Sequence, residues 1–310
     1  MRARIVFVWD TPYARTLQSC VQQVLTDVAV AFGHSFVIKD ERMGEASVQA
    51  WGSAMTEETI TACREADAAI AVLSRDDGLL ELAQGVGAVL ACHVYEAWPP
   101  NAIDGALKSG QVPAGILCYP LYGDERLADA AKIAYQLTGT VRTRMREIPF
   151  DGSLKAAWLH ATGTLAATYT ATTPVQTTLN EALGDMVTRP ADVGVVFAKP
   201  GAAQSLYAVA DALSGRQSPG HIRYMGEKAL HAFVAGDRGD GASIPLGALA
   251  AAADLLRNSL GLDREADCLL AAAANVSETA ITFDGGQAVD AWERISQQIA
   301  LVGELLHPKA

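Results

Sequence analysis

Short apolar runs rich in β-branched residues alternate along this chain with longer segments of helical periodicity, and no other feature restricts its fold so much. Ile5–Val8, Ser35–Ile38, Ala68–Leu73, Ala114–Cys118, Val141–Met145 and Val193–Ala198 read as strands. Helical patterns fill the gaps at Ala14–Phe32, Glu57–Glu65, Glu125–Leu137, Leu154–Tyr169, Gly201–Leu213, Pro245–Leu260, Glu265–Asn275 and Ala288–Leu306. Strands that are apolar throughout need both faces covered, so the alternation predicts an α/β fold with a large, mostly parallel sheet flanked by helices. Pro245–Leu260 is the clearest helix. Pro245 suits the first helical position, Leu246, Leu249, Ala253, Leu256 and Leu260 recur at helical spacing, and Gly261 can close it.

The chain has 310 residues, half of them hydrophobic, which is enough for one large unit. The Gly- and Pro-rich stretches Trp98–Pro113 and Ser214–Gly220 read as loops, too short to separate independent domains. Acidic side chains outnumber basic ones 35 to 24, giving a formal charge of -11, so the field opposes nucleic acid and anionic membranes as partners. Cys20, Cys63, Cys92, Cys118 and Cys268 form no CxxC pair and read as buried free thiols of a reducing compartment. The first apolar run ends at Asp10, too short for a signal-peptide core, and Asp254 and Arg257 interrupt the longest alanine–leucine stretch before it can span a bilayer. A cytoplasmic location is the expectation.

The segment from His231 to Pro245, with His231, Gly239, Gly241 and Pro245 in register, resembles the HGSAPDIAGKGIANP loop of the isopropylmalate/isocitrate dehydrogenase family. The helix that follows, ending at Leu262, is similar to that family's AAILSAAMLLRYSLGL pattern. Arg189-Pro190 ahead of Val193–Phe197 resembles the approach to its central strand. The resemblance implies an isopropylmalate-dehydrogenase-like fold rather than a Rossmann one. It also implies one unit over residues 1–310 with two subdomains, about 1–90 with 215–310, and 91–214. A homodimer, or a heteromer with a family member, is implied too, with an active site shared between subunits.

The same resemblance places the family's catalytic positions on residues of the wrong chemistry. Gln204 and Ala208 stand where two aspartates of a GDxxSD helix would hold a divalent metal, and Asn180 matches the aspartate taken from the second subunit. Hard carboxylate oxygens are what such a metal requires, so no metal site is expected. Ala83, His93 and Tyr119 fall at the arginines that clamp substrate carboxylates, and Ile148 at the catalytic lysine. The tyrosine-bearing region is shortened around Leu121–Glu125, and Asp10–Thr16 replaces the glycine-rich GDGIGPE loop.

Some chemistry remains on offer. Lys199, ahead of Pro200 and Gly201 at a strand-to-helix junction, is either a surface charge or a cation that holds a small anion together with the amides of Gly201 and Ala202. His93, Tyr119 and Lys199 are the catalytic candidates, and His231 joins the ligand-binding set if it lines the same cleft as His93. Asp237, Gly239, Asp240 and Gly241 form either a solvated turn or, by the resemblance, a remnant of an NAD(P) site. The expectation is a degenerate dehydrogenase homologue acting as a binding or regulatory subunit. The alternatives are a repurposed enzyme using Lys199, His93, Tyr119 and Glu81 on a small anionic substrate, or an oxidoreductase with a non-standard site.

Overall fold

The apolar runs do what their composition demands and stack side by side in one ten-stranded sheet. A computed structural model of the chain describes residues 1–96, 113–141, 144–169, 174–214, 220–235, 246–279 and 287–306. Along the chain the strands are β1 (Arg2–Trp9), β2 (Ser35–Arg42), β3 (Ala68–Leu73), β4 (Leu90–Tyr95), β5 (Gly115–Pro120), β6 (Met145–Glu147), β7 (Val175–Gln176), β8 (Gly194–Phe197), β9 (Gly220–Met225) and β10 (Ala229–Val234). Their spatial order is β2-β1-β3-β10-β9-β4-β5-β8-β6-β7. Strands β2, β1, β3 and β10 run parallel, and so do β5, β8, β6 and β7. Between these blocks β9 and β4 pair antiparallel with each other and with their outer neighbours, so the two blocks point in opposite directions. The expected α/β class with a large, mostly parallel sheet flanked by helices holds.

Helices cover both faces. On one face of the first block lie α1 (Pro12–Phe32), α9 (Leu246–Asn258), α10 (Asp263–Thr279) and α11 (Gln287–Leu306), whose Val21, Leu249, Leu256, Leu269 and Ile295 enclose Phe7 and Ile70. The other face is covered by α3 (Glu57–Glu65) and α4 (Leu79–Gly85), with Cys63, Leu79 and Leu82 against Val6, Val8 and Ala71, while α2 (Gly44–Trp51) sets Ala46 against Trp9 and Ala14. On the second block α5 (Leu127–Val141) and α6 (Lys155–Thr168) take one side, where Trp158 is sealed between Phe150 at 4.4 Å and Phe197 at 4.7 Å. The other side holds α7 (Leu179–Thr188) and α8 (Pro200–Ser214).

Local chemistry explains several boundaries. Thr11 caps α1 by accepting from the Ala14 amide at 3.2 Å, Pro12 occupies its first turn, and Gly33 closes it with φ of 71°. The expected strand Val141–Met145 is corrected: Val141 is the last residue of α5, and the strand begins at Met145. A β-branched residue at a helix end carries the same local signal as a strand start. The His231–Pro245 segment, read as a loop, contributes His231–Val234 to β10. The described cysteines are free thiols, with Cys63, Cys92 and Cys118 buried and Cys20 and Cys268 half-buried. No helix among the described residues is long and apolar enough to cross a membrane.

Candidate functional site

Strand alternation sends neighbouring residues to opposite faces of a sheet, and in the antiparallel centre this sorts the candidate residues into two groups. On β4 the side chains of His93 and Tyr95 share a face with Tyr119 of β5, because His93 pairs with Leu117 and Ala91 with Tyr119 across the ladder. From α8 comes Tyr207, whose ring lies flat on His93 at 4.2 Å between centroids and 6° between planes. Tyr119 flanks His93 from 5.9 Å, and the Tyr95 hydroxyl donates to the Tyr207 carbonyl at 3.2 Å. His93 and Tyr119, two of the three catalytic candidates, are therefore brought together. Burial, helped by the nearby His221, lowers the His93 pKa to about 4. Burial also raises Tyr119 to about 12, with Tyr207 adding to the effect. Near neutral pH the imidazole is therefore neutral and the phenol protonated.

Lys199 stands at the end of β8, and its Nζ donates to Asp151 Oδ2 at 2.7 Å. That hydrogen bond and charge hold the Asp151 carboxyl below its usual range. The amide of Ala202 turns back to the Lys199 carbonyl at 3.0 Å, as does that of Ala203. Gly201 is exposed and Ala202 buried. The expected anion site thus has a carboxylate beside its cation and one of its two amides already engaged. Asp237, Gly239, Asp240 and Gly241 lie outside the described residues.

His231 does not share the cleft of His93. It pairs with Arg223 of β9, which in turn pairs with Cys92, so His231, Arg223 and His221 lie on the opposite face. There they surround Asp254 of α9. One carboxylate oxygen, Oδ2, lies 3.0 Å from His231 Nδ1, 3.0 Å from His221 Nε2 and 3.2 Å from Arg223 Nε, while Oδ1 accepts from Asn258 Nδ2 at 2.6 Å. The other nitrogen of His231, Nε2, meets Ser259 Oγ at 2.8 Å. Burial alone would raise the Asp254 carboxyl, but Arg223, His221 and His231 outweigh it and hold it well below the usual range. His231 is pushed down by burial, against the opposing pull of Asp254. Beside this network a cleft of about 760 Å³ opens, lined by Arg223, Arg257, Asn258, Arg144, Arg189 and residues of β4, β5 and β8.

Of that network, His231 alone stands out in the sequence as a candidate site residue. A signal was present: Asp254 is the lone carboxylate of an alanine–leucine helix, and a buried charge requires partners. His221 and Arg223, two apart on a strand, share a face by the period of two.

No family model matches the chain, and no curated protein matches it. Among solved structures, the crystal structure of isocitrate dehydrogenase from Methylococcus capsulatus is similar over 96% of this chain and 99% of that one, with a TM-score of 0.77 and 13% sequence identity. The chain has the isocitrate dehydrogenase fold. Within this fold, α8 presents Gln204 and Ala208 to solvent, and Asn180 is exposed at the start of α7, whereas Ala83 and Ile148 are buried. Among the described residues no three His, Cys, Asp or Glu side chains converge on a point that could hold a metal ion.

Proposed function

We propose that this chain is a homologue of the NAD(P)-dependent β-decarboxylating dehydrogenases that has lost their chemistry and serves as a binding or regulatory subunit. The observation that carries this reading is the stack of Tyr119, His93 and Tyr207. It occupies the positions that the sequence resemblance assigns to two substrate-clamping arginines. Such arginines act through bidentate, charged hydrogen bonds. A neutral imidazole between two phenols gives a flat, weakly polar surface that cannot replace them. The positions matched to the metal ligands, Gln204 and Ala208, supply no negative charge for a divalent ion. Oxidation of a 2-hydroxy acid and its decarboxylation need a polarising metal and a proton acceptor, each worth orders of magnitude in rate. The engagement of Lys199 by Asp151 counts against a repurposed enzyme centred on that lysine.

The purified protein, given isocitrate, isopropylmalate, malate or tartrate with either nicotinamide cofactor and magnesium or manganese, is expected to show no cofactor reduction above background. A regulatory subunit should also co-purify with a full-length dehydrogenase of the same fold. Metal-dependent turnover by the unmodified chain at ordinary enzyme rates, about 1 s⁻¹ or more, overturns the proposal.

A further inference from the structure

The cleft beside Asp254 lies on the sheet face opposite the His93 stack, and it is built around a cation with donors to spare. Arg223 is 4% exposed and lines the cleft. Among the described residues its only ion pair is the 3.2 Å contact of Nε with Asp254 Oδ2, an oxygen already approached by both His221 and His231. That contact lacks hydrogen-bond geometry and leaves Nε without a hydrogen bond; the two Nη groups make no hydrogen bond among the described residues. A guanidinium carries five donors in a planar fork, and the buried Nε, left without a hydrogen bond, costs free energy. The other arginines of the cleft divide in two. Arg189 is committed to Asp185 and Arg257 to Asp267, each at 2.6 Å. Arg144, exposed at the mouth, has no ion pair among the described residues.

The floor brings Arg144 into place by close backbone approach. Gly194, with φ of 67°, lies so near the Arg144 carbonyl that a Cβ there would come within 2.5 Å of its oxygen. The Val195 amide donates to that carbonyl at 3.0 Å. Four arginines thus face three carboxylates (Glu96, Asp192 and Asp254) around one cleft of a chain whose overall charge is -11. Its volume of about 760 Å³ suits a small molecule.

We propose that this cleft binds a small metabolite through an oxyanion group, a phosphate or a pair of carboxylates, taken by the Nη groups of Arg223 within and by Arg144 at the mouth. The site spans both parallel blocks of the sheet, since Arg223 belongs to β9, Arg257 and Asn258 to α9, and Arg144 and Arg189 to the second block. Occupancy therefore ties the blocks together, and the site is independent of whether the opposite face does chemistry.

Calorimetric titration of the full chain with inorganic phosphate and, separately, with malonate, at constant ionic strength held with chloride, tests this. One or both should bind with one-to-one stoichiometry and raise the melting temperature; which of them does so assigns the phosphate or the dicarboxylate class. Arg144→Glu, on an exposed side chain, should weaken binding at least tenfold. Arg223→Lys, which keeps the charge but loses the fork, should do the same. Lys39→Ala, on the edge strand β2, serves as a charge control and should leave affinity unchanged. If Arg223→Lys fails to fold, Arg144→Glu decides alone. Failure of both probes to bind at millimolar concentration overturns the proposal, as does binding that Arg144→Glu leaves intact.

Discussion

His93 shows how far a single residue's position changes its chemistry. An imidazole in water titrates near neutrality. Burial between Tyr207 and Tyr119, and the nearby His221, lower its pKa to about 4. The folded state therefore holds the ring neutral while the unfolded chain takes up a proton below about pH 6.5, so stability is lost as pH falls from that value towards 4. Between pH 7.5 and 4.5 the contribution is roughly 2–3 kcal/mol at about 1.4 kcal/mol per pKa unit. Urea unfolding at the two pH values should show that loss in the native protein and a distinctly smaller one in His93→Gln. An equal loss in both would mean that other groups carry the acid sensitivity. The face on which His93 sits follows from period-two alternation in Leu90–Tyr95. Its neighbour Tyr207 lies more than a hundred residues away in sequence, beyond the reach of any local pattern. His231 is the converse case: a histidine legible in the sequence whose partner, Asp254, decides that it belongs to a buried charge network on the other face.

At the level of elements, the hairpin of β9 and β10 does most to set the architecture, because it inserts between β3 and β4 and carries both His221–Arg223 and His231. Its turn passes so close to the link between α4 and β4 that a Cβ on Gly226 would come within 2.2 Å of the Gly87 carbonyl oxygen and 2.8 Å of the Ala88 Cα. Backbone cannot move aside as a flexible side chain can. Gly226→Ala should destabilise the protein by roughly 1–3 kcal/mol, the range for overpacking a closely packed site, read as a lowered urea midpoint with unchanged slope. Indifference to the substitution would show that the turn can move away from Gly87. The sequence marks long elements better than short ones. Helix α1 announces itself by Thr11, Pro12 and Gly33, and β3 by six consecutive apolar residues, all buried. Helices α2, α4 and α7, of eight, seven and ten residues, offer too few turns for periodicity to register. Even α7 has its signal in the capping box of Thr178 and Glu181 rather than in its apolar spacing. Strands β4, β9 and β10 mix polar and apolar residues because their two faces meet different surroundings.

For the whole molecule, the two blocks run in opposite directions and meet at β9 and β4, so each sheet face has a place where helices of one block give way to those of the other. One such place holds the aromatic stack, the other the arginine cleft. We expect the chain to form a dimer or a heteromeric assembly, since α8 turns Gly201, Gln204, Ser205 and Ala208 to solvent, and α6 exposes Leu159. Small and apolar residues on a helix surface suit close helix–helix packing better than hydration. Sedimentation across micromolar concentrations should report the dimer mass; a monomer throughout would contradict this.

The sequence by itself determined the α/β class, the long helices and the apolar strands, because those signals are complete within a few residues: a cap, a period, a run of β-branched side chains. Only the tertiary structure decided that β9 and β10 stand at the centre of the sheet, that Lys199 faces Asp151, and that Arg223 borders a cleft beside Asp254. Those outcomes depend on contacts between residues tens of positions apart, and strand order and register, rather than local propensity, choose which of them meet.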